Sequence, residues 1–372
     1  MPRILILWNQ IDEDVYAHFR REGRTTLAWD PTRTIQPWDT VDDEMQLIHR
    51  ALAAGGHEVR TVNIRDDLDG MVAAIKAFAP DAIMNLVEFL RDDAELEHHV
   101  PALFELLGVE YTGNRPLALS LCQKKPLAKA LIAQAGVPVP RGVVIESVAA
   151  ARAVDLRFPL IVKPAYDDAS NGIDAGSVVH DHAALAARID RLLAERRRAA
   201  IVEEYIEGRE IHCAILGDQP LPLYEVCFDG SDDDHGRPLP RIITYRAKWD
   251  PYSREHHATT GVCPVPDLAP ATVAHLQAVA LRAYRALGCR DYARVDMRLD
   301  PDTGEPHVLE VNPNPDLAAS CAFTAACAAS GRDYHAMINE IVGLAVARRL
   351  APTPTVTGID LLLHEHRARP PA

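Results

Sequence analysis

The chain has 372 residues, of which 48% are hydrophobic and 25% are charged, a globular balance at a length that predicts about two or three domains. The formal net charge of −14 argues against a nucleic-acid partner, because binding a phosphate backbone requires a concentrated positive surface. No apolar run reaches the roughly 20 residues that span a bilayer, and the seven cysteines are scattered without a Cys-x-x-Cys pair, so we expect a cytoplasmic protein with reduced thiols and no membrane partner.

Residues 1–116 alternate apolar, strand-like runs with helical periods, which predicts an α/β domain with a parallel sheet. The predicted strands are residues 4–7, 58–64 and 81–86, and the predicted helices are residues 45–54, 71–79 and 95–107. Residues 20–41 are polar and show no clear period, although they include Trp29, Pro31, Pro37 and Trp38. This segment is predicted to be a surface loop or lid.

The rest of the chain mixes both kinds of element. The predicted helices are residues 117–135, 148–153, 183–198, 269–287 and 334–349, and the predicted strands are residues 143–145, 159–163, 200–205 and 210–216. A polar, histidine-rich stretch at residues 245–261 predicts a loop. Residues 351–372 are rich in proline and lack periodicity, which predicts an irregular tail.

The segments 291–300 and 307–316 are joined by a turn-forming sequence and predict a β-hairpin. If the hairpin pairs Asp296 with Glu310, then Arg294 lies opposite Asn312. These side chains would bring together two carboxylates, an amide and a guanidinium. The carboxylate and amide oxygens are ligands that Mg²⁺ prefers. The pattern predicts a metal–nucleotide site, with a solvated, ion-paired hairpin face as the alternative.

Alternation along the same strands also predicts a core face. In the first strand, the residues expected to face the core are Ala293, Val295, Met297 and Leu299. In the second strand, one face is expected to carry Val308, Glu310 and Asn312, and the other Leu309 and Val311.

Two regions outside the hairpin carry charged residues that are candidates for binding a nucleotide. Lys163 ends an apolar strand and precedes a loop that runs to Gly172, an arrangement in which a lysine can reach a phosphate while the backbone closes over it. Glu203 and Glu210 flank a turn and are candidates for holding adenine and ribose. A solvated strand-end lysine and a solvated acidic hairpin are the alternatives.

A mobile cation is predicted in the loop at residues 245–261, where Lys248 is the first candidate and Arg246 and Arg254 compete for the role. The histidine pairs at residues 98–99 and 256–257 lack the spacing of a zinc site. We therefore expect no zinc centre.

Taken together, residues 81–346 resemble the ATP-grasp superfamily and, within it, D-alanine–D-alanine ligase-like proteins. The likeness is strongest at residues 106–114, 158–164, 202–210, 292–296 and 309–312. The resemblance implies an α/β N-terminal domain at residues 1–116, followed by the two α+β subdomains of an ATP-grasp fold at residues 117–204 and 205–350. These subdomains would clasp ATP, and the second would carry the metal site.

The resemblance also implies roles for individual residues. The implied ATP-binding residues are Lys125 and Lys163 for the phosphates, Glu203 and the backbone of Ile206 for adenine, Glu210 for the ribose, and Lys248 for the terminal phosphate. The implied ligands of two Mg²⁺ ions, or of Mn²⁺, are Asp296, Glu310 and Asn312. Arg294 would stabilise charge at the acyl centre, and Lys248 would share in catalysis. The implied reaction joins a small-molecule carboxylate to an amine through an acylphosphate, and a homodimer is common in the family.

The chain departs from the family pattern where the family recognises D-alanine. The departures are Asp12 as the nearest stand-in for the substrate-amine glutamate, Ala169 in place of a serine, Trp249 in place of a tyrosine, and Asp316 in place of a glycine. We therefore expect a substrate that is not simply D-alanine, because the extra carboxylate of Asp316 could bind an amino group. The weaker candidates for substrate recognition are Asp12, Glu13, Glu88 and Arg91. The alternatives are a genuine D-alanine–D-alanine ligase and a non-catalytic nucleotide-binding protein.

Overall fold

The computed structural model describes residues 1–12, 15–35, 39–167, 169–196, 199–233 and 236–350. The helices are α1 (Val15–Glu22), α2 (Val41–Ala54), α3 (Leu68–Phe78), α4 (His99–Leu107), α5 (Pro116–Gln123), α6 (Lys125–Gln134), α7 (His182–Arg196), α8 (Tyr245–Trp249), α9 (Arg254–Ala258), α10 (Pro270–Ala286), α11 (Ala322–Ala329) and α12 (Tyr334–Leu350). The strands are β1 (Arg3–Trp8), β2 (Glu58–Asn63), β3 (Ala82–Leu86), β4 (Gly142–Ile145), β5 (Leu160–Pro164), β6 (Val178–Val179), β7 (Ala200–Glu204), β8 (Arg209–Leu216), β9 (Gln219–Pro220), β10 (Tyr224–Phe228), β11 (Thr259–Val262), β12 (Tyr292–Leu299) and β13 (Pro306–Asn312). No helix in these ranges is long and apolar enough to cross a bilayer.

The N-terminal part is built on three parallel strands in the order β2, β1, β3. Successive side chains of β1 face opposite sides of this sheet. Ile4 and Ile6 pack with α2, α11 and α12, whereas Leu5 and Leu7 pack with α3 and α4. The predicted parallel α/β arrangement is confirmed.

Two antiparallel sheets follow. The first has the order β4-β7-β5-β6 and packs against α7 through a cluster that includes Leu160 and Leu185. The second has the order β11-β10-β8-β12-β13, and its core face packs against α6 and α10 through Ile132, Leu276 and Val295. Each of the three sheets lies within one of the ranges 1–116, 117–204 and 205–350, a division that we keep as a proposal.

One predicted helix is two helices in the structure. We expected a continuous helix over residues 117–135, but α5 ends at Gln123 and α6 begins at Lys125, because Lys124 has non-helical angles of φ −91° and ψ 76°. Pro126 lies in the first turn of α6 and fits the break, since proline has no N–H to donate to the preceding turn.

The predicted loop at residues 245–261 is also wrong, because the segment forms α8, α9 and β11. Each short helix begins at a side-chain cap, with Thr244 Oγ1 accepting from the Ala247 amide at 3.0 Å and Ser253 Oγ accepting from the His256 amide at 3.1 Å. Helices of five residues are too short to show a hydrophobic period, so the sequence pattern missed them.

Residues 20–41 are partly helical, since α1 extends to Glu22. An isolated antiparallel bridge then joins Thr26 to Thr34, and Leu27 and Ile35 are buried. Pro37 and Trp38 lie outside the described residues, as does the predicted tail at residues 351–372.

Candidate active site

A cavity of about 850 Å³ lies between the three sheets. Its wall includes Trp8 and Glu44 from the N-terminal part, Lys163 from the central sheet, and Arg294 and Glu310 from the C-terminal sheet. A cavity of this size is large enough for a nucleotide or a drug-sized ligand.

The predicted hairpin register is present at one wall of this cavity. Asp296 pairs with Glu310 and Arg294 pairs with Asn312, and all four line the cavity. The hairpin therefore brings together the two carboxylates, the amide and the guanidinium that the sequence predicted.

A β-bulge next to this site corrects the predicted alternation of the second strand. Asp296 pairs with Glu310 but Met297 pairs with Val308, so Leu309 is the extra residue. An extra residue exchanges the two faces of a strand. As a result Val308 packs in the core with Val311, and Leu309 lines the cavity, the reverse of what we expected for these two side chains.

Asp296 is held by two neighbours on the hairpin. Arg294 donates to both of its oxygens, from Nε at 2.7 Å and from Nη2 at 2.8 Å, and Asn312 Nδ2 donates to Oδ2 at 2.9 Å. Burial opposes the charged form of Arg294, but the adjacent Asp296 carboxylate outweighs it and raises the guanidinium pKa. Asp296 is thus a buried carboxylate that already carries a positive partner.

This donor set fits a hard divalent cation. Asp296 and Glu310 supply carboxylate oxygens, and Asn312 keeps its carbonyl oxygen free for a metal because its Nδ2 makes the bond to Asp296. In the described part of the chain, no three His, Cys, Asp or Glu side chains are grouped so as to hold an ion by themselves. Mg²⁺ is usually bound by one or two carboxylates together with substrate phosphates, so such a cage is not required.

Across the cavity, Glu203 forms ion pairs with two lysines. Lys163 Nζ lies 2.8 Å from Glu203 Oε2, and Lys129 pairs with Oε1; Glu203 is only 1% exposed. Burial raises the pKa of the Glu203 carboxyl, but the charges of Lys129 and Lys163 outweigh it and lower this pKa to about 2. Burial lowers the pKa of Lys129. Glu203 therefore fixes both lysines, and its predicted contact with adenine stays a prediction.

Sequence reasoning missed Lys129. A lysine in a helix usually extends into solvent, yet this one is 7% exposed. The signal was its spacing, because Lys129 follows Lys125 by four residues and so lies on the same face of α6. Lys125 is buried too, and its Nζ donates to the backbone oxygen of Asp167 in the loop after β5.

The predicted ribose ligand, Glu210, is paired with an arginine that sequence reasoning also missed. Arg298 Nη2 lies 2.7 Å from Glu210 Oε2, and His212 Nε2 lies 3.3 Å from Oε1. Burial raises the pKa of the Glu210 carboxyl, but Arg298 and then His212 outweigh it and lower this pKa to about 2. Arg298 follows Arg294 and Asp296 at two-residue spacing on β12, which is the signal that places it on the cavity face.

Lys248 lines the cavity from α8 and is exposed, with its ammonium 5.0 Å from the centre of the Trp249 ring. Ile206 is 7% exposed and also lines the cavity. These positions are compatible with the roles implied for the two residues, which stay predictions.

The residues that depart from the family pattern meet at the cavity. Trp249 Nε1 donates to the backbone oxygen of Ala169 at 3.0 Å, so the two substituted positions remain in contact. Asp12 and Asp316 both line the cavity, and Asp316 Oδ1 accepts from the Ala318 amide at 2.8 Å. Burial and the neighbouring Asp316 carboxylate raise the pKa of the Cys321 thiol, which keeps the thiol neutral.

The weaker candidates for substrate recognition separate into three groups. Asp12 and Glu88 line the cavity. Arg91 is not among the described residues of its wall, and Glu13 lies outside the described residues.

Comparison with known proteins agrees with this geometry. Residues 131–343 match the family model described as the D-ala D-ala ligase C-terminus. The D-alanine–D-alanine ligase of Moorella thermoacetica is 30% identical over 308 residues, covering 80% of this chain and 91% of that protein. The uncharacterized protein y4sG of Sinorhizobium fredii is 35% identical over 314 residues, covering 80% and 86% of the two chains.

Solved structures of low sequence identity share the fold. The D-alanine–D-alanine ligase of Bacillus anthracis complexed with ATP superposes with a TM-score of 0.64 at 20% identity, covering 94% of this chain and 98% of that one. The VanG D-Ala:D-Ser ligase of Enterococcus faecalis gives a TM-score of 0.63 at 19% identity, covering 93% and 100%. The architecture is therefore that of the ATP-grasp proteins. The chain belongs to the D-alanine–D-alanine ligase family, a family of carboxylate–amine ligases, and the resemblance seen in the sequence is confirmed.

Proposed function

We propose that this protein is an ATP- and Mg²⁺-dependent ligase that joins a small carboxylic acid to an amine through an acylphosphate. The observation that carries the proposal is the hairpin site, where Arg294, Asp296, Glu310 and Asn312 share one wall of the cavity. Binding a nucleotide alone does not require an arginine in the middle of a cation site, whereas stabilising charge on an acyl group does.

A second group of charged residues at the cavity suits a triphosphate. Glu203 holds Lys129 and Lys163 in place without cancelling both charges, so this cluster keeps a net positive charge next to the cavity. Lys248 adds an exposed ammonium at the rim. Fixed positive groups of this kind stabilise transferring phosphoryl groups because they need no reorganisation during the reaction.

The reaction balances in two steps. A carboxylate oxygen of the acid attacks the terminal phosphorus of ATP, the bond to the bridging oxygen breaks, and ADP leaves. The amine then attacks the acyl carbon, loses a proton, and expels inorganic phosphate. In this proposal Arg294 would donate to the oxygen that becomes negative at the acyl carbon, and donors of this kind contribute about 10²–10³-fold in rate.

Asp296, Glu310 and Asn312 would hold the divalent cations, which neutralise the phosphate oxygens of ATP when they are bound. Without a cation, the ion pair between Arg294 and Asp296 supplies the positive partner that this buried carboxylate requires.

We further propose that the substrates are not simply two molecules of D-alanine. Asp316 places an additional carboxylate at the cavity, and Trp249 and Ala169, which stand in place of the tyrosine and serine of the family pattern, contact each other through a side-chain N–H and a backbone oxygen. The second candidate function is D-alanine–D-alanine ligation, which is favoured by the relative from Moorella thermoacetica.

A substrate panel tests these functions against each other. Purified protein would be given ATP and Mg²⁺ with D- and L-amino acids and other small acids, singly and in pairs, and phosphate release and product mass would be measured. We expect equal amounts of phosphate and a condensed product with at least one pair other than D-alanine alone. Turnover with D-alanine alone would establish the second candidate, and nucleotide binding without turnover of any pair would make the protein a non-catalytic binding protein.

A further inference from the structure

A second group of contacts joins the N-terminal segment at residues 16–29 to the segment that carries Lys248, and within it Tyr16 and Trp249 also line the cavity. Trp29 Nε1 donates to the backbone oxygen of Tyr252 at 2.8 Å. The Trp29 ring meets His257 edge to face with 5.5 Å between ring centres, and the Arg254 guanidinium lies 4.8 Å from the centre of the Trp29 ring. Trp29 thus contacts three residues between α8 and the end of α9.

Aromatic contacts extend this joint along α1. Phe19 meets Tyr252 in a perpendicular arrangement with 5.2 Å between ring centres, and the Arg24 guanidinium lies 4.6 Å from the Tyr252 ring centre. Tyr16 lies against Trp249, the residue next to Lys248, at 6.2 Å between ring centres. Perpendicular ring pairs and cations over rings both stabilise a contact beyond the burial of the rings.

Hydrogen bonds within residues 245–258 link α9 to α8, so the position of α9 helps to fix the position of Lys248 on α8. Ser253 Oγ donates to the backbone oxygen of Arg246 at 3.1 Å, and His256 Nδ1 lies 2.9 Å from the backbone oxygen of Ala247. The other side of this segment is tied to the central part of the chain, because Trp249 Nε1 bonds to Ala169 and the Tyr245 amide donates to the backbone oxygen of Ile173 at 2.9 Å.

We propose that residues 16–29 are a latch that positions Lys248 over the terminal phosphate of ATP, with Trp29 as its anchor. The inference rests on the proposed function, in which Lys248 binds that phosphate. Trp29 is a positioning residue, since it is Lys248 and not Trp29 that lines the cavity. The lysine is on a five-residue helix that is bonded on one side to Ala169 and Ile173, and the latch holds its other side before the nucleotide binds.

The selectivity of nucleotide binding for ATP over ADP distinguishes a latch that positions Lys248 from a contact that only stabilises the fold. Lys248 contacts the terminal phosphate, so losing its position weakens the binding of a non-hydrolysable ATP analogue and leaves ADP binding unchanged. A packing contact that only stabilises the fold would affect both nucleotides equally. The ratio of the two dissociation constants is therefore the quantity to measure.

The experiment is calorimetric titration of both nucleotides, with Mg²⁺, into the full chain and its variants. We expect Trp29→Ala and Lys248→Ala each to weaken the ATP analogue by about three- to tenfold, with ADP changed by less than about twofold. The double variant should lose no more than Lys248→Ala alone, because both changes remove the same contact. Thr32→Ala is the matched control, since the Thr32 hydroxyl donates to Asp30, just after the latch, at 2.6 Å.

Each outcome decides the proposal. If Trp29→Ala strongly reduces the melting temperature, Trp29→Phe is used in the titrations instead, because phenylalanine keeps an aromatic ring but lacks the Nε1 donor to Tyr252. Equal losses for both nucleotides in the Trp29 variant, or additive losses in the double variant, overturn the latch but leave the proposed function intact. Lys248→Ala without a selective loss overturns the proposed phosphate contact and the latch with it.

Discussion

Arg294 and Asp296 lie two residues apart on β12 and form a two-point ion pair in which each carboxylate oxygen accepts from a different guanidinium nitrogen. The pair sits where the proposed function requires Asp296 to bind a cation and Arg294 to face the acyl group. Arg294 would compete with a divalent cation for Asp296, and with a cation bound there its guanidinium would be available to the substrate.

This competition gives a prediction for Arg294→Ala. Without the guanidinium, the buried Asp296 loses its positive partner, so the variant should bind Mn²⁺ more tightly than the wild type in the absence of nucleotide. Its turnover should fall by about 10²–10³-fold, because a donor at the acyl centre is lost. Mn²⁺ titration followed by electron paramagnetic resonance measures the first effect. Arg282→Ala, an exposed arginine on α10, is the control, and weaker Mn²⁺ binding in Arg294→Ala would contradict the competition.

Glu310→Gln should abolish turnover while leaving the fold intact. The change removes one negative charge from the proposed cation site and keeps the size of the side chain. We expect turnover to fall at least about a hundredfold, since the cations supply several kcal/mol of charge stabilisation, with a melting temperature close to that of the wild type. Glu305→Gln, in the turn of the same hairpin, is the matched control. Unchanged activity in Glu310→Gln would falsify the metal assignment.

Glu203 should make stability depend on acid pH. Its folded-state pKa of about 2 is below the unfolded value of about 4.3, so its stabilisation is complete above the unfolded pKa and is lost as the pH falls through the folded pKa. Glu203→Gln leaves Lys129 and Lys163 without their shared partner, and it should cost about 3–5 kcal/mol at pH 7.

The same sign argument predicts that this gap narrows as the pH falls below about 4.3, because the unfolded wild-type chain then binds a proton at Glu203 while the folded carboxyl stays charged down to about pH 2. Urea unfolding of both proteins between pH 7 and pH 2.5 measures the gap. Glu207→Gln, at an exposed position in the next turn, is the control. A gap of constant size over this range would show that Glu203 is not the titrating group.

Asp316 should influence which amines are accepted. Asp316→Asn removes the charge and keeps the length of the side chain. Amines that carry their own carboxylate should then show a lower KM, and amines that carry a second ammonium group a higher one, each by about fivefold for one screened charge interaction. Asp302→Asn, in the hairpin turn, is the control. Equal KM values for wild type and variant across both groups of amines would remove Asp316 from substrate recognition.

The hairpin shows what the sequence could predict. Alternating residues and a short turn fix which side chains lie opposite each other, so the pairing of Asp296 with Glu310 followed from the sequence. The bulge at Leu309 did not follow, because a bulge depends on the neighbouring strands and the sequence shows no sign of it. The parallel N-terminal sheet was predictable for a different reason, since β1 and β3 are short apolar runs and the strands alternate with helical periods.

The contacts that the sequence did not reveal are between distant segments. From the sequence, Lys129 is expected to be a solvated helix residue, because its ion pair with Glu203 forms only when β7 packs beside α6 in the fold. Trp29 and Tyr252 are 223 positions apart and meet through a backbone oxygen, which has no sequence signature. Short capped helices such as α8 and α9 fall below the length at which periodicity is visible.

The central claim, ligation through an acylphosphate, is tested most directly by oxygen transfer. The acid of the productive pair would be labelled with ¹⁸O in its carboxylate and incubated with ATP, Mg²⁺, the amine and the protein, and the released phosphate would be examined by mass spectrometry. The account predicts one ¹⁸O atom in each phosphate, because a carboxylate oxygen becomes the bridge to phosphorus and leaves with it. Phosphate without the label, formed together with the condensed product, would contradict it.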